Sequence, residues 1–280
     1  MAGRVTDKVC VVTGGASGIG LALARAFLAS GCRVVIADIE LDALDDARAA
    51  LGAEVAERVH AVLADVADLQ SVQLLAASTL DRFGRVDILC NNAGVSTFNT
   101  IEQLSMDDWQ WVLGVDLWGV IHGVHTFLPI MLQQGTPGHI VNTASIAGLV
   151  SGVAHLAPYA VAKVGVVSLS ETLRTELQIS GAPIGVSVLC PSATNTNVME
   201  GERNRPVHLG KEKRADDAEA WRVAIRSGFT GPSGKEPWEV AGMVVDAVVK
   251  NRFWVVSHDD LRPVLEQRFA EILQATPYRS

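Results

Sequence analysis

Seven short β-branched, apolar runs recur along the 280-residue chain, and stretches of helical periodicity separate them. The runs fall at 8–13, 33–37, 59–64, 86–90, 139–143, 184–190 and 254–256. A near-continuous apolar run such as KVCVVT suits a strand buried on both faces. Between the runs, Ile19, Leu23, Ala26 and Phe27 line one helical face, and Ala162, Val166, Leu169, Leu173 and Leu177 line another. Alternation of this kind needs long crossovers. It predicts a doubly wound, Rossmann-type α/β fold: a seven-stranded parallel sheet with right-handed connections and helices on both faces. No repeat or low-complexity linker divides the chain, so one domain over 1–280 is expected.

Composition excludes several classes. Apolar residues make up 49% and charged residues 19%, enough to build a core and too apolar for a disordered chain. The net charge of −8 carries no electrostatic footprint for nucleic acid or an anionic membrane. The apolar stretch 112–132 contains Asp116, His122, His125 and Pro129, so it reads as a buried helix and not as a membrane span. Cys10, Cys32, Cys90 and Cys190 lie in or beside strand-like runs and form no CxxC pair. They read as reduced thiols, and with no visible signal peptide the expected location is cytoplasmic. Trp109, Trp111 and Trp118 fall on one long helix that packs against neighbours or a second subunit. One polar segment, 195–236, follows the end of the sixth run, where ligands bind in such folds. It is read as an irregular lid over a ligand crevice.

The first run leads straight into Thr13-Gly14-Gly15-Ala16-Ser17-Gly18-Ile19-Gly20 and then a helix. Glycines there permit positive φ and close backbone approach, and the helix N-terminus offers free N–H groups to a pyrophosphate. Asp38 ends the second run, 18 residues after Gly20. An acid at about that spacing accepts hydrogen bonds from the adenosine ribose diol and repels a 2′-phosphate, which favours NAD over NADP. A helix N-cap is the plainer role for the same residue.

The chain has two tyrosines, Tyr159 and Tyr278, the latter close to the C-terminus and expected to fray. Lys163 stands four residues after Tyr159 on the same helical face. A nearby ammonium stabilises a phenolate, which makes tyrosine a usable acid/base near neutrality. Ser145 ends the fifth run, beside the expected position of Tyr159.

TGGASGIG at 13–20, Asp65-Val66, NNAG at 91–94, Ser145, Tyr159-xxx-Lys163, and Pro191 with Thr196 occur together in one order. In these features, across residues 5–197, the chain resembles the short-chain dehydrogenase/reductase family. The resemblance implies reversible hydride transfer between NAD and an alcohol/ketone pair. It further implies that Gly14, Ser17, Gly18, Ile19 and Gly20 contact the dinucleotide. Asp65 then binds the adenine amino group, Val66 lines the adenine pocket, and Asn92 and Ala93 approach the adenosine ribose. Tyr159 is the general acid/base, Lys163 binds the nicotinamide ribose and lowers the Tyr159 pKa, Ser145 holds the substrate oxygen, and Thr196 reaches the carboxamide.

Three departures stand out. Asp116 replaces the family's asparagine, a residue that acts chiefly through its backbone carbonyl. Either that role tolerates an acid, or the added charge alters proton transfer. The Ser145–Tyr159 spacing is 14 where 13 is usual, and Pro158 precedes the tyrosine. Ser192 replaces the glycine that usually follows Pro191. Other chemistries lack their motifs: there is no HExxH, no GxSxG and no P-loop, and His122 with His125 makes no metal set. The expected protein is an NAD-dependent dehydrogenase of a bulky apolar or aromatic secondary alcohol. It is expected to pair as a homodimer or homotetramer through the helices at 105–134 and 159–179. A dinucleotide-sensing regulator and an epimerase or dehydratase using the same Tyr/Lys pair are the alternatives.

Overall fold

The computed structural model describes residues 5–150, 152–210, 214–231, 233–259 and 261–276. All seven expected strands are present: β1 (Val9–Thr13), β2 (Arg33–Asp38), β3 (Val59–Leu63), β4 (Ile88–Asn91), β5 (Gly138–Thr143), β6 (Ile184–Cys190) and β7 (Trp254–Val256). They form one parallel sheet in the order β3-β2-β1-β4-β5-β6-β7. Val12 of β1 lies opposite Ile36 on one side and Cys90 on the other. This is the Rossmann-type doubly wound fold that the alternation predicts.

The helices are α1 (Gly18–Ala29), α2 (Leu41–Leu51), α3 (Leu69–Phe83), α4 (Met106–Leu113), α5 (Gly119–Gln134), α6 (Ala157–Ser180), α7 (Asp216–Phe229), α8 (Pro237–Lys250) and α9 (Arg262–Ala275). Successive strand residues point to opposite faces, so each face of the sheet builds its own core. Cys10, Val12, Val34 and Ile36 pack with α1, α2 and α8. Val11, Val35 and Leu89 pack with α3, α5 and α6. Phe27 and Phe127, one in each core, are fully buried, each stabilising the fold by about 1.5–3 kcal/mol. All four cysteines are buried and free.

Helices α4 and α5 run on as one rod, joined by a π-helical turn at Gly114–Trp118. Residues 106–134 are long and apolar enough to cross a membrane by length and composition. Here they pack against α3 and α6 and carry a wholly buried carboxylate, Asp116. Trp109, Trp111 and Trp118 all fall on this rod, as expected: Trp111 is buried, Trp109 half-buried and Trp118 exposed. Pro158 occupies the first turn of α6, where its missing N–H costs no hydrogen bond, so the helix begins just before Tyr159. Ser192 has no positive φ, so no glycine is needed there.

The segment 195–236 is more ordered than an irregular excursion. It forms 3₁₀ turns at Val198–Asn204 and Val207–Leu209, and then α7. Asp216, Asp217 and Glu219 in the first turn of α7 and Arg226 in its last turn complement the helix dipole, which is why so charged a stretch is helical. Its ends are drawn together where Thr194 bridges Lys235. Lys235 N–H donates to Ala193 O, and Asn195 N–H donates to Lys235 O, both at 2.9 Å. Tyr278 lies outside the described residues.

Close approach of its backbone to the Asn91 side chain sets the position of α5. A Cβ added at Gly123 would stand 2.0 Å from Asn91 Oδ1, so this helix lies directly on β4 only because Gly123 is bare. Gly123→Ala should cost about 1–3 kcal/mol through overpacking. Thermal unfolding followed by circular dichroism should show a midpoint several degrees lower; an unchanged midpoint would mean that α5 has room to move off the sheet.

Candidate active site

The strand order reverses between β1 and β4, and a crevice opens at their carboxyl ends. The glycine turn forms its floor. Gly14 and Gly18 both hold positive φ, +62° and +50°. A Cβ at Gly14 would lie 2.8 Å from Ala93 Cα. Ser17, extended before the first turn of α1, makes no side-chain capping bond, and that turn has no acidic residue. The amides and the positive end of the helix dipole are thus left for an anion, as a pyrophosphate requires. Gly14, Ser17, Gly18 and Ile19 line the crevice. Gly20 does not: it lies beneath the turn, where a Cβ would come within 1.9 Å of Gly14 O. Its place in the motif serves packing of the turn.

Asp38 faces the crevice at the end of β2. Its Oδ2 accepts from Ala16 N–H at 3.1 Å and its Oδ1 from Glu40 N–H at 3.2 Å. Asp38 therefore joins β2 to the glycine turn, and the N-cap of α2 is Glu40. Burial pushes the Asp38 carboxyl above its ordinary value, against these backbone bonds. Asp65 and Val66 line the same end. Asp65 Oδ1 accepts from Ala67 N–H at 2.9 Å, and the Val66 carbonyl bonds His122 Nδ1 at 2.9 Å. Asn92 and Ala93 also line the crevice, yet Asn92 spends its amide on Thr13 O and Gly14 O. Thr13 Oγ1 accepts from the N–H groups of both Asn92 and Ala93. This threonine, to which the sequence alone assigned no part, ties β4 to β1.

Ser145, Tyr159 and Lys163 come together at the carboxyl end of β5. The Ser145 side chain lies beside the Tyr159 hydroxyl, near enough to favour its phenolate. The extra residue in the intervening loop therefore does not separate them. Lys163 Nζ donates to Thr143 O at 3.1 Å and lies 5.4 Å from the Tyr159 ring centre. Asp116 joins this group through its side chain. Its Oδ2 stands 3.0 Å from Lys163 Nζ, and its Oδ1 accepts from Val95 N–H at 2.8 Å. The Asp116 carboxylate is thus engaged directly with Lys163. Burial pushes the Asp116 carboxyl up, against Lys163 and Val95. Burial alone would lower Lys163; the negative charge of Asp116 and the Tyr159 hydroxyl hold it above its ordinary value. Tyr159 is raised, not lowered, because burial and Asp116 outweigh Lys163 and Ser145. The expected net depression of Tyr159 is thus absent from the protein alone.

The segment after β6 closes the other side. Thr196 Cγ2 stands 3.2 Å from where a Gly18 Cβ would be, which places Thr196 over the glycine turn. Met199, Ile225 and Phe229 from this segment face Trp111, Val153 and Leu156, making the end near Tyr159 apolar. The whole cavity measures about 480 Å³. Ile225 and Phe229, four apart in a charged stretch, were the available signal for this wall. At the far end, Glu40 Oε1 accepts from Arg203 Nε at 3.0 Å and from Asn204 Nδ2 at 2.8 Å. A second tie joins Arg205 Nη1 to Asp108 Oδ1 of α4 at 2.6 Å.

This arrangement holds a dinucleotide-shaped crevice with an acid/base group at its apolar end. The sequence profile of short chain dehydrogenases matches residues 8–206, and the chain belongs to that family of oxidoreductases. A C alpha-dehydrogenase of Sphingobium sp. is 34% identical over 96% of this chain and 86% of that protein. A 1-deoxy-11-beta-hydroxypentalenate dehydrogenase of Streptomyces exfoliatus is 33% identical over 96% of this chain and 90% of that protein. Among solved structures, a short chain dehydrogenase/reductase of Burkholderia phymatum in complex with NAD superposes with a TM-score of 0.91. It is 37% identical and covers 98% of both chains.

The ties to Glu40 should hold the segment down in the free protein. Glu40→Ala removes the acceptor of both bonds, and amide exchange across 198–209 should then quicken several-fold while the strands keep their protection. Equal exchange in variant and wild type would show that Asp108 and the apolar contacts suffice.

Proposed function

We propose that this protein is an NAD-dependent dehydrogenase that interconverts a bulky, apolar or aromatic secondary alcohol and its ketone. The carrying observation is the meeting of Ser145, Tyr159 and Lys163 at the apolar end of a crevice whose other end presents the glycine turn and Asp38. NAD held in that crevice would supply the hydride acceptor for alcohol oxidation, and NADH the hydride donor for ketone reduction.

The residues present suit that cofactor. The amides of the glycine turn and Ser17 hold the pyrophosphate. Asp38 takes the adenosine ribose diol, Asp65 the adenine amino group, and Val66 lines the adenine pocket. Asn92 and Ala93 border the ribose, Lys163 binds the nicotinamide ribose, and Thr196 reaches the carboxamide. Toward substrate, Ser145 orients the hydroxyl and Tyr159, as phenolate, takes its proton. In the reverse direction Tyr159 gives the proton back to the ketone oxygen. Lys163 supplies the positive charge that the phenolate needs. Met199, Ile225 and Phe229 exclude water from this end and leave room for a large apolar group.

The segment 195–236 acts as the lid, and 1–280 as one catalytic domain. The exposed Trp118, Val161 and Val164 form the apolar surface through which the chain pairs into a homodimer or homotetramer. The acidic chain has no nucleic-acid or membrane partner in this proposal, no metal takes part, and its four reduced thiols suit the cytoplasm.

A panel of aryl and alicyclic secondary alcohols, followed by NADH absorbance, tests the function. Tyr159→Phe keeps the ring but removes the proton carrier, and kcat should fall by about 10²–10⁴-fold while NAD affinity barely changes. Near wild-type turnover would remove Tyr159 from the chemistry. NAD should be preferred over NADP by kcat/KM. Asp38→Ala should narrow the preference, because it deletes both a ribose acceptor and a charge that repels the 2′-phosphate. A wild type that prefers NADP would contradict the assignment.

A further inference from the structure

A buried ammonium with a carboxylate against it does not behave as a free positive charge. The side chains of Lys163 and Asp116 are 3% and 0% exposed, 3.0 Å apart. The contact is built in from several sides. Val95 N–H fixes Oδ1 of Asp116, which turns Oδ2 toward the lysine. Thr143 O fixes the lysine from the end of β5. Gly94 makes room: a Cβ there would stand 3.2 Å from Asp116 Oδ2 and 3.5 Å from Lys163 Nζ. An asparagine at 116 that kept its oxygen on Val95 N–H would turn an NH₂ group toward the ammonium, donor against donor. The acid thus creates an ion pair that the amide cannot.

We propose that Asp116 is a positioning residue that acts through Lys163: it holds the ammonium in place and offsets its pull on Tyr159, and so sets the pH at which Tyr159 becomes a base. The inference rests on Tyr159 being the proton carrier of the proposed reaction. The groups that face Tyr159 and Lys163 are few. Asp116 comes from the π-helical turn, Ser145 and the Thr143 carbonyl from the end of β5, and Cys190 from the end of β6. Burial pushes the Cys190 thiol up to about 12, so it stays neutral. The lid side presents Met199, Ile225 and Phe229, which carry no charge. Asp116 is therefore the one negative charge, among the described residues, set against Lys163.

The chain's two tyrosines make the test direct. In a Tyr278→Phe background, tyrosinate absorbance of the full-length protein without cofactor reports Tyr159 alone. With Asp116 present the midpoint should lie at or above the ~10 of a free phenol. Asp116→Asn and Asp116→Ser should each lower it by about one unit or more, since the ammonium then acts unopposed. The serine variant keeps a small acceptor for Val95 N–H, and near-ultraviolet circular dichroism of the same samples verifies the fold. In alcohol oxidation the acid limb of the kcat profile should move the same way. A wild-type midpoint well below that of a free phenol, or variants within about 0.3 unit of wild type, would overturn the inference. Absence of NADH formation with every alcohol would leave the titration readable and count against the proposed reaction alone.

Discussion

A sheet whose strands all run parallel must be covered on both faces, because each return crosses over one face or the other. Here β1 sits between β2 and β4, and the two halves of the chain wind away from it in opposite directions. Neither half covers the carboxyl ends of β1 and β4, and the crevice follows from that. What crosses the gap is short: Thr13 Oγ1 reaching the amides after β4, and Asn92 reaching back to the glycine turn. The bare positions Gly14 and Gly20 let backbone approach backbone around this seam, and Gly123 lets α5 settle on the Asn91 side chain. Groups placed on strand ends inherit the rigidity of the sheet, which is what a site that must hold reacting groups in register needs.

The second constraint is charge in a dry place. Lys163 is buried, and an isolated buried ammonium costs far more than the fold can spare. Its partners come from three separate elements: Thr143 beyond the core of β5, Asp116 in the widened turn between α4 and α5, and Tyr159 one turn earlier in α6. The π-helical turn is thus part of the site, as such turns often are. In the proposed mechanism the same pairing that makes the lysine tolerable also weakens its pull on Tyr159, so stability and reactivity would pull against each other at one contact.

How much of this was legible in the sequence depended on distance along the chain. The strands, the glycine turn, Asp38 and the Tyr159/Lys163 pair are local patterns, and period and spacing disclosed them. Asp116 was visible as a departure, but the direction of its carboxylate depends on a helix turn and on Gly94, which no periodicity encodes. The Glu40–Arg203 contact joins residues 163 apart and left no trace in composition. The lid was read as irregular because its charges masked the helix dipole pattern at Asp216, Asp217, Glu219 and Arg226. Gly20 was assigned to the ligand because the motif names it, whereas its neighbours show it supporting the turn from below.

The bridge between Thr194 and Lys235 separates the history of segment 195–236 from that of the sheet. Once both ends of an excursion are fastened at one point, the chain between them can lengthen cheaply, at roughly 0.6 kcal/mol for each doubling. Insertions, deletions and exchanges between the two anchors leave the strand order, the glycine turn and the Tyr159/Lys163 pair as they are. The wall that Met199, Ile225 and Phe229 give the crevice can therefore be rewritten in this one stretch of gene, while the sheet beneath it is inherited intact.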